Sequence, residues 1–193
     1  MTQNNITNSK TVLYTFLLVL GILIGLSASF FPTQPSEPDR PVASQERIWQ
    51  EQIWNTSYLR QNSDIVVKGT VTEVHEARWN TEDGKRPKEI TEHEIFHTAD
   101  IKVENTLMGD TKDQITLRIS GGTVGNLSMN AEDAPTLVEG DQAIFFIEKE
   151  DNHYELFGAA HGVFYLSGDK AVRRKAPAKY RSVNLDQLRD SIK

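Results

Sequence analysis

Hydrophobic residues are unevenly spread along this chain, and the longest stretch without a charge lies near its amino terminus. Residues 12–31 contain no Asp, Glu, Lys, Arg or His. A helix of that length spans roughly 30 Å, which matches the hydrocarbon core of a bilayer. The pattern therefore predicts a transmembrane signal anchor over residues 11–31, which makes the cell membrane one partner of the chain.

The residues on either side of this stretch predict its orientation. Lys10 and the amino terminus are the only positive charges before it, and acidic residues come first after it. This charge bias favours a single-pass protein with a cytoplasmic tail of residues 1–10 and its carboxyl-terminal domain outside. A cleaved signal peptide, cut near residues 28–30 and followed by secretion, is the alternative, because small side chains occur there. The length of the apolar stretch favours the retained anchor.

Prolines mark the segment that follows, where they recur at every third position. They occupy positions 32, 35, 38 and 41. Proline at this spacing favours extended polyproline II structure and prevents a helix. Residues 32–44 are therefore predicted to form a Pro-rich stalk, and residues 45–193 an extracytoplasmic β domain of about the usual size.

The start of this domain shows apolar residues at helical spacing. They are Ile48, Trp49, Ile53, Trp54 and Leu59. The spacing predicts a helix of about residues 45–61 that packs one face on the domain. Tryptophans close to a stalk could instead contact lipid headgroups, but the continuous apolar stripe favours packing.

From residue 64 onward the apolar pattern changes to a period of two, which is typical of strands. The segment 64–76 is rich in β-branched residues, and its first half is apolar on both faces, as in a strand buried on both sides. Further strands are predicted at residues 94–104, 114–119, 142–149, 154–158, 163–166 and 171–173. Turn residues connect them, a charged loop covers residues 80–92, and a short helix is predicted at residues 184–192.

The fold class follows from these elements. Short strands with regular turns and without alternating helices predict a mainly β domain, which is an antiparallel OB-like barrel or sandwich. One helix flanks it on the amino-terminal side and one short helix on the carboxyl-terminal side, and the transmembrane helix precedes it.

Charge and cysteine content narrow the function classes. The chain carries a net charge of −6 at pH 7, and residues 1–40 contribute none of it. An acidic domain repels phosphate backbones, so nucleic acid is not expected as a partner. The chain has no cysteine, which excludes disulfides, a thiol nucleophile and a lipid-modified cysteine anchor.

One short motif points to metal chemistry. His93, Glu94 and His97 match H-E-x-x-H, in which two histidines one helical turn apart bind zinc and the glutamate activates water. That chemistry requires a helix, whereas polar and apolar residues alternate over residues 93–104 as in a strand. Residues four apart on a strand lie about 13 Å apart, too far to share one ion. The motif is therefore interpreted as coincidence.

Other candidate sites have simpler structural interpretations. His75, His153 and His161 are scattered and are interpreted as packed or surface residues. Residues 148–152 could form a loose calcium site, but such acidic clusters are typical of solvated turns. Residues 121–125 contain a glycine cluster that could cradle an anion, but a bulge or a close backbone approach explains it better.

Two tripeptides fit the N-glycosylation acceptor pattern on the outer side of the membrane. Asn55 is followed by Thr-Ser, and Asn126 by Leu-Ser. Because such tripeptides are common by chance, modification at either asparagine stays open.

The region 63–166 resembles a loose group of exported, mostly uncharacterised β-domains of prokaryotes. The matching segments are residues 64–74, 103–110, 121–125, 134–141 and 143–147. The arrangement looks like an OB-type barrel and is similar to the netrin-like modules of metalloprotease inhibitors. This resemblance implies a fold and carries no catalytic residue.

These observations predict a membrane-anchored or exported binding or envelope-associated module that is not an enzyme. No catalytic, cofactor-binding or metal-binding residue is assigned. The expected ligand is a protein or a glycan outside the cytoplasm, bound by the barrel face or by the edge at residues 121–125. A zinc-dependent hydrolase using His93, Glu94 and His97 is one alternative, and a protease-inhibitor-like module is another.

Overall fold

The computed structural model describes residues 51–90 and 94–192, together with the backbone of residues 42–45. Within these ranges, twelve strands and two α-helices are found. The strands are β1 (Val42–Gln45), β2 (Ile65–Val74), β3 (Arg78–Trp79), β4 (Ile95–Met108), β5 (Gln114–Ser120), β6 (Gly122–Val124), β7 (Leu127–Ala131), β8 (Gln142–Glu150), β9 (His153–Leu156), β10 (Val163–Ser167), β11 (Lys170–Val172) and β12 (Ser182–Asn184). The helices are α1 (Thr56–Gln61) and α2 (Leu185–Ile192).

Five strands close into a β-barrel. Going round the ring, β2 pairs with β4, β4 with β5, β5 with β9, β9 with β8, and β8 with β2. Four of these pairings are antiparallel. The seam between β5 and β9 is parallel and contains only two residue pairs, Leu117 with Tyr154 and Arg118 with Glu155. The strands β10, β11 and β12 extend the sheet outward from β8.

The barrel interior is filled by the apolar face of each strand. The buried cluster consists of Ile65, Val67, Val71, Ala99, Ile101, Ile115, Leu117, Ile119, Leu137, Ala143, Phe145, Ile147, Leu156, Val163 and Tyr165. Alternate residues of a strand point to opposite faces, so the polar neighbours of these residues lie on the outside. The mainly β prediction is therefore confirmed, and the domain is a closed five-stranded barrel.

A second apolar layer covers the outside of β2 and β8. The buried residues are Ile53, Leu59, Val66, Ile144, Phe146, Phe164, Ala171, Leu188 and Ile192. They come from the ring, from β10 and β11, from both helices and from the turn before α1. This layer explains why the first half of β2 is apolar on both faces, as the sequence predicts: Val66 packs outward and Val67 packs inward, and both are fully buried.

The predicted helix over residues 45–61 is wrong in its extent. A 3₁₀ turn covers Glu51–Trp54, and α1 begins only at Thr56. Asn55 separates the two, because its side-chain oxygen accepts a hydrogen bond from the Ser57 N–H and so caps a new helix. Of the predicted apolar face, Ile53 and Leu59 are buried, whereas Ile48 and Trp49 lie outside the described residues. The α2 helix at Leu185–Ile192 confirms the predicted carboxyl-terminal helix.

The predicted stalk and the purely antiparallel sheet also need correction. Residues 42–44, assigned to the stalk, belong to β1, which pairs in parallel with β7. These residues follow the last proline of the stalk, so their N–H groups are free to join a sheet.

Residues 1–41 include the predicted tail, anchor and most of the stalk, and they lie outside the described residues. Among the helices in the described ranges, none has the length and apolar character needed to cross a bilayer.

The glycine segment forms the start of a small three-stranded sheet of β1, β7 and β6. Gly121 and Gly122 both have positive φ angles, 96° and 132°. A Cβ on Gly122 would lie 2.4 Å from the Cβ of Ala77, and one on Gly121 would lie 2.9 Å from the Met129 carbonyl oxygen. The interpretation of the glycine cluster at residues 121–125 as a close approach of chain segments is therefore confirmed. The strands β6 and β7 on either side of its end were not predicted.

Candidate binding groove

A groove of about 630 Å³ lies on the outer face of β4 and β5. The hairpin strand β3 borders it on one side, and the turn between β8 and β9 borders it on the other. Its lining residues are Arg78, Phe96, Thr98, Lys112, Gln114, Thr116, Arg118, Lys149, Glu150, Asp151, Asn152, His153 and Tyr154. We call this surface the β4–β5 groove.

Strand alternation explains why these side chains meet. Thr98 is opposite Arg118 across β4 and β5. The residues next to them in sequence, Ala99 and Leu117, are fully buried inside the barrel. The interior of the barrel therefore fixes the backbone beneath the groove, and the outward positions are left for polar side chains.

Phe96 lies under two arginines at the floor of the groove. Its ring is only 8% exposed. The guanidinium carbon of Arg118 lies 4.3 Å from the ring centroid, and that of Arg78 lies 4.9 Å from it. These cation–π contacts hold the two guanidinium groups near the same point of the groove.

Positive charge exceeds negative charge along the groove. Among the described residues that line it, four are cationic, Arg78, Lys112, Arg118 and Lys149, and two are acidic. Within the described residues, Arg78, Lys112 and Lys149 form no ion pair. The groove is therefore a locally basic surface on an acidic chain.

Arg118 has incomplete hydrogen bonding. Its Nε atom is buried and has no hydrogen-bond partner in the described part of the chain. The nearest carboxylate oxygen belongs to Glu155 and lies 3.7 Å away. That same oxygen is 2.8 Å from Nε2 of His153, which competes for it. The Nε atom itself is out of reach of the groove, but 20% of the Arg118 side chain is exposed and can meet an anion there.

The polar side chains beside Arg118 are held in place by a network on the same face. Thr116 donates a hydrogen bond from its Oγ1 to the Asp100 carboxylate at 2.6 Å. This bond, helped by His75 at 3.3 Å, holds the pKa of Asp100 below its usual value. Asp100 therefore stays ionised and fixes the Thr116 hydroxyl as a donor toward it, so the hydroxyl oxygen remains an acceptor for a ligand.

The described part of the H-E-x-x-H motif, residues 94–97, does not form a helical turn. His97 lies within strand β4, and Glu94 immediately precedes that strand. His93 lies outside the described residues. Nδ1 of His97 is 3.0 Å from the Gly121 carbonyl oxygen, so this nitrogen carries the proton and donates. The strand prediction is confirmed from residue 95 onward, and these residues lack the helical turn that zinc-protease chemistry needs.

The other histidines occupy separate places. His75 lies between two carboxylates: Nδ1 is 3.5 Å from Glu73, and Nε2 is 3.3 Å from Asp100. One ligand atom from each of these residues lies within 4.8 Å of the others, the spacing of a candidate cation site. However, each carboxylate faces a different ring nitrogen, which is the geometry of two hydrogen bonds and not of one shared ion.

His161 belongs to a buried aromatic cluster that joins the segment before α1 to the barrel. Its ring meets the Trp54 ring edge-on at 4.5 Å, and Tyr180 stacks on Trp54 at 5.4 Å. Arg173, only 4% exposed, donates to the carbonyl oxygens of Trp54 at 2.8 Å and Ile53 at 3.3 Å. Burial lowers the pKa of Arg173 to about 10. These contacts are structural and lie outside the groove.

Acidification should destabilise the protein through His161. Burial, and then the charge of Arg173, hold the pKa of His161 below its ordinary value of 6.5. The folded state therefore binds fewer protons than the unfolded state, so this contribution to stability is present above pH 6.5 and lost as the pH falls. Urea unfolding at pH 7 and pH 5 should show a smaller loss in His161→Gln than in the wild type. An equal loss in both proteins would contradict this account.

Comparison with known proteins adds no assignment to this geometry. No protein-family model matches the chain, and no curated protein matches it. Of the candidate residues that the sequence suggests, the acidic turn of residues 148–152 and His153 lie at the groove, where residues 149–152 form part of the rim and His153 is a lining residue. The sequence prediction missed Arg118, Phe96 and Arg78, although their outward phase on the strands was a usable signal.

The glycosylation candidates Asn55 and Asn126 are both exposed, and Asn126 follows Gly125 at the tip of the β6–β7 hairpin.

Proposed function

We propose that this chain is a non-catalytic binding module that holds its ligand in the β4–β5 groove. The carrying observation is the groove itself, which combines a rigid barrel floor with polar side chains and with three cationic side chains, Arg78, Lys112 and Lys149, that form no ion pair among the described residues. Pockets of this kind, with a few convergent polar groups on a fixed scaffold, are typical of binding sites. We further propose that residues 11–31 tether the module to the cell membrane and place it outside the cytoplasm.

The barrel topology supports the choice of this face. We infer an OB-like barrel, because the ring runs through its first, second, third, fifth and fourth strands in the order of an OB-type Greek key. In that fold the second and third strands and two neighbouring loops form the usual ligand face. Here the second and third ring strands are β4 and β5, and the two loops carry β3 and the β8–β9 turn.

Blocking the groove sterically should abolish binding whatever the ligand is. Full-length protein in mild detergent would be applied to printed arrays of oligosaccharides and peptides. Thr116→Trp puts a large ring into the groove from an exposed strand position, where aromatic residues are well tolerated. We expect the signals of the wild type to disappear in this variant.

The matched control is Thr72→Trp, which makes the same change at an exposed position of β2 outside the groove. It should retain the wild-type signals. Arrays on which Thr116→Trp binds as the wild type does, with both variants folded by circular dichroism, would show that the groove is not the binding site.

A further inference from the structure

We propose that the β4–β5 groove binds an acidic sugar chain, with ring carboxylates paired to its arginine and lysine side chains. This inference rests on the proposed function and names the class of ligand for the same site. Three features of the groove support it: the sign of its charge, the covering of its aromatic floor, and its position on a sheet face.

The sign of the charge favours an anionic ligand. Arg78, Lys112 and Lys149 form no ion pair in the described part of the chain, and Arg118, whose side chain is 20% exposed, has the Glu155 carboxylate at 3.7 Å. A guanidinium group presents planar paired donors that match a carboxylate, and such charge-assisted bonds are stronger than neutral ones. Carboxylates spaced along a chain would meet these cations on both sides of the groove floor.

The aromatic floor disfavours a single-stranded nucleic acid. Proteins that bind single strands stack successive bases on exposed aromatic rings. In the groove, Phe96 is only 8% exposed and is covered by the guanidinium groups of Arg78 and Arg118. Tyr154 is the one other aromatic ring among the groove's lining residues, apart from the imidazole of His153. One partly buried ring offers no run of stacking positions.

The position on the sheet disfavours an extended peptide added as a strand. That mode of recognition needs an unpaired sheet edge. Here β4 is paired with β2 and β5, and β5 is paired with β4 and, at Leu117 and Arg118, with β9. Within the described residues, the edge of β5 on the β9 side is left open only at residues 114–116 and 119–120, which is short for an added strand, so recognition falls mainly to side chains. Sugar hydroxyls suit the remaining polar groups of Thr98, Gln114 and Asn152, which both donate and accept.

The test uses full-length protein in mild detergent and four probes in isothermal titration calorimetry. They are hexagalacturonate, its neutral methyl ester, hexaglutamate and a twelve-residue thymidine oligonucleotide. We expect hexagalacturonate to bind best, its methyl ester to bind at least about tenfold more weakly, and added salt to weaken binding. Arg118→Gln should lower the affinity for hexagalacturonate by about tenfold or more.

Two further variants keep the result interpretable. Lys112→Gln changes an exposed lysine of the groove, so it should weaken binding even if Arg118→Gln fails to fold. Lys170→Gln changes an exposed lysine of β11 outside the groove and should bind hexagalacturonate as the wild type does.

Equal binding of the acid and its ester, or stronger binding of the peptide or the oligonucleotide, would overturn the inference. So would the absence of hexagalacturonate binding. If the arrays still show a signal that Thr116→Trp removes, the proposed binding function stands and only the ligand class falls. If the arrays show no groove-dependent signal, both fall.

Discussion

Replacing Phe145 by alanine is expected to lower the free energy of unfolding by about 3–5 kcal/mol. Phe145 is fully buried at the centre of the barrel interior, on a strand that pairs with both β2 and β10. Strands on both sides hold the backbone, so the interior cannot collapse to fill the space that the ring leaves. Guanidinium chloride unfolding of the two proteins would measure the difference.

Val138→Ala is the control for this experiment, because Val138 is 52% exposed in a loop. It should change the free energy of unfolding by no more than about 0.5 kcal/mol. A cost below about 1 kcal/mol for Phe145→Ala would mean that the side chain does not fill a closed interior, and the barrel description would fail.

Replacing Gly109 by alanine is expected to cost about 3 kcal/mol or more. Gly109 follows β4 with a φ of 78°, in a region that other residues rarely adopt. A Cβ there would lie 2.3 Å from the Asp64 carbonyl oxygen and 3.2 Å from the Ile65 Cα. Both are backbone atoms at the start of β2, so neither can move aside without disturbing the ring. Thermal unfolding followed by circular dichroism would measure the loss.

Gly84→Ala separates the two causes. Gly84 has a similar φ of 67°, but nothing lies within 4 Å of the position that a Cβ would take. This substitution should therefore cost only about 1 kcal/mol, for the left-handed backbone alone. Equal losses at the two positions would show that the close approach of Gly109 to β2 contributes nothing.

The strands that the sequence predicts correctly are those with a strong local pattern. Val67 and Val71 face the interior in phase, and residues 143–147 of β8 are all buried, so the strand period or an apolar run identifies each element. The strand β6 is only three residues long and begins at a glycine, so it has no apolar pattern. The strand β7 does alternate, with Leu127, Met129 and Ala131 buried, but a pattern of five residues is too short to identify a strand by itself. The parallel partner β1 is remote in sequence, and local pattern carries no information about remote pairing.

The sequence predicts which side chains of β4 and β5 point outward, but not that they meet in one groove. The outward phase of Thr98, Thr116 and Arg118 follows from strand alternation. Their meeting with Tyr154 does not, because it depends on β9 joining β5 in parallel. Similarly, the sequence indicates the apolar face that carries Leu59, while the capping hydrogen bond at Asn55 decides where that helix begins.

The two-pair seam between β5 and β9 has a consequence for the order of folding. The chain must close a long loop before this seam forms, which costs conformational entropy. Only two residue pairs of the seam offset that cost. We expect the neighbouring pairs β2–β4 and β4–β5 to assemble first as an open sheet, with closure as a late step. Arg118 and Tyr154 belong to opposite sides of the seam, so the groove comes into existence only with that step. Under the proposed function, ligand binding would then report completed folding, because a chain in which the seam is still open lacks the assembled groove.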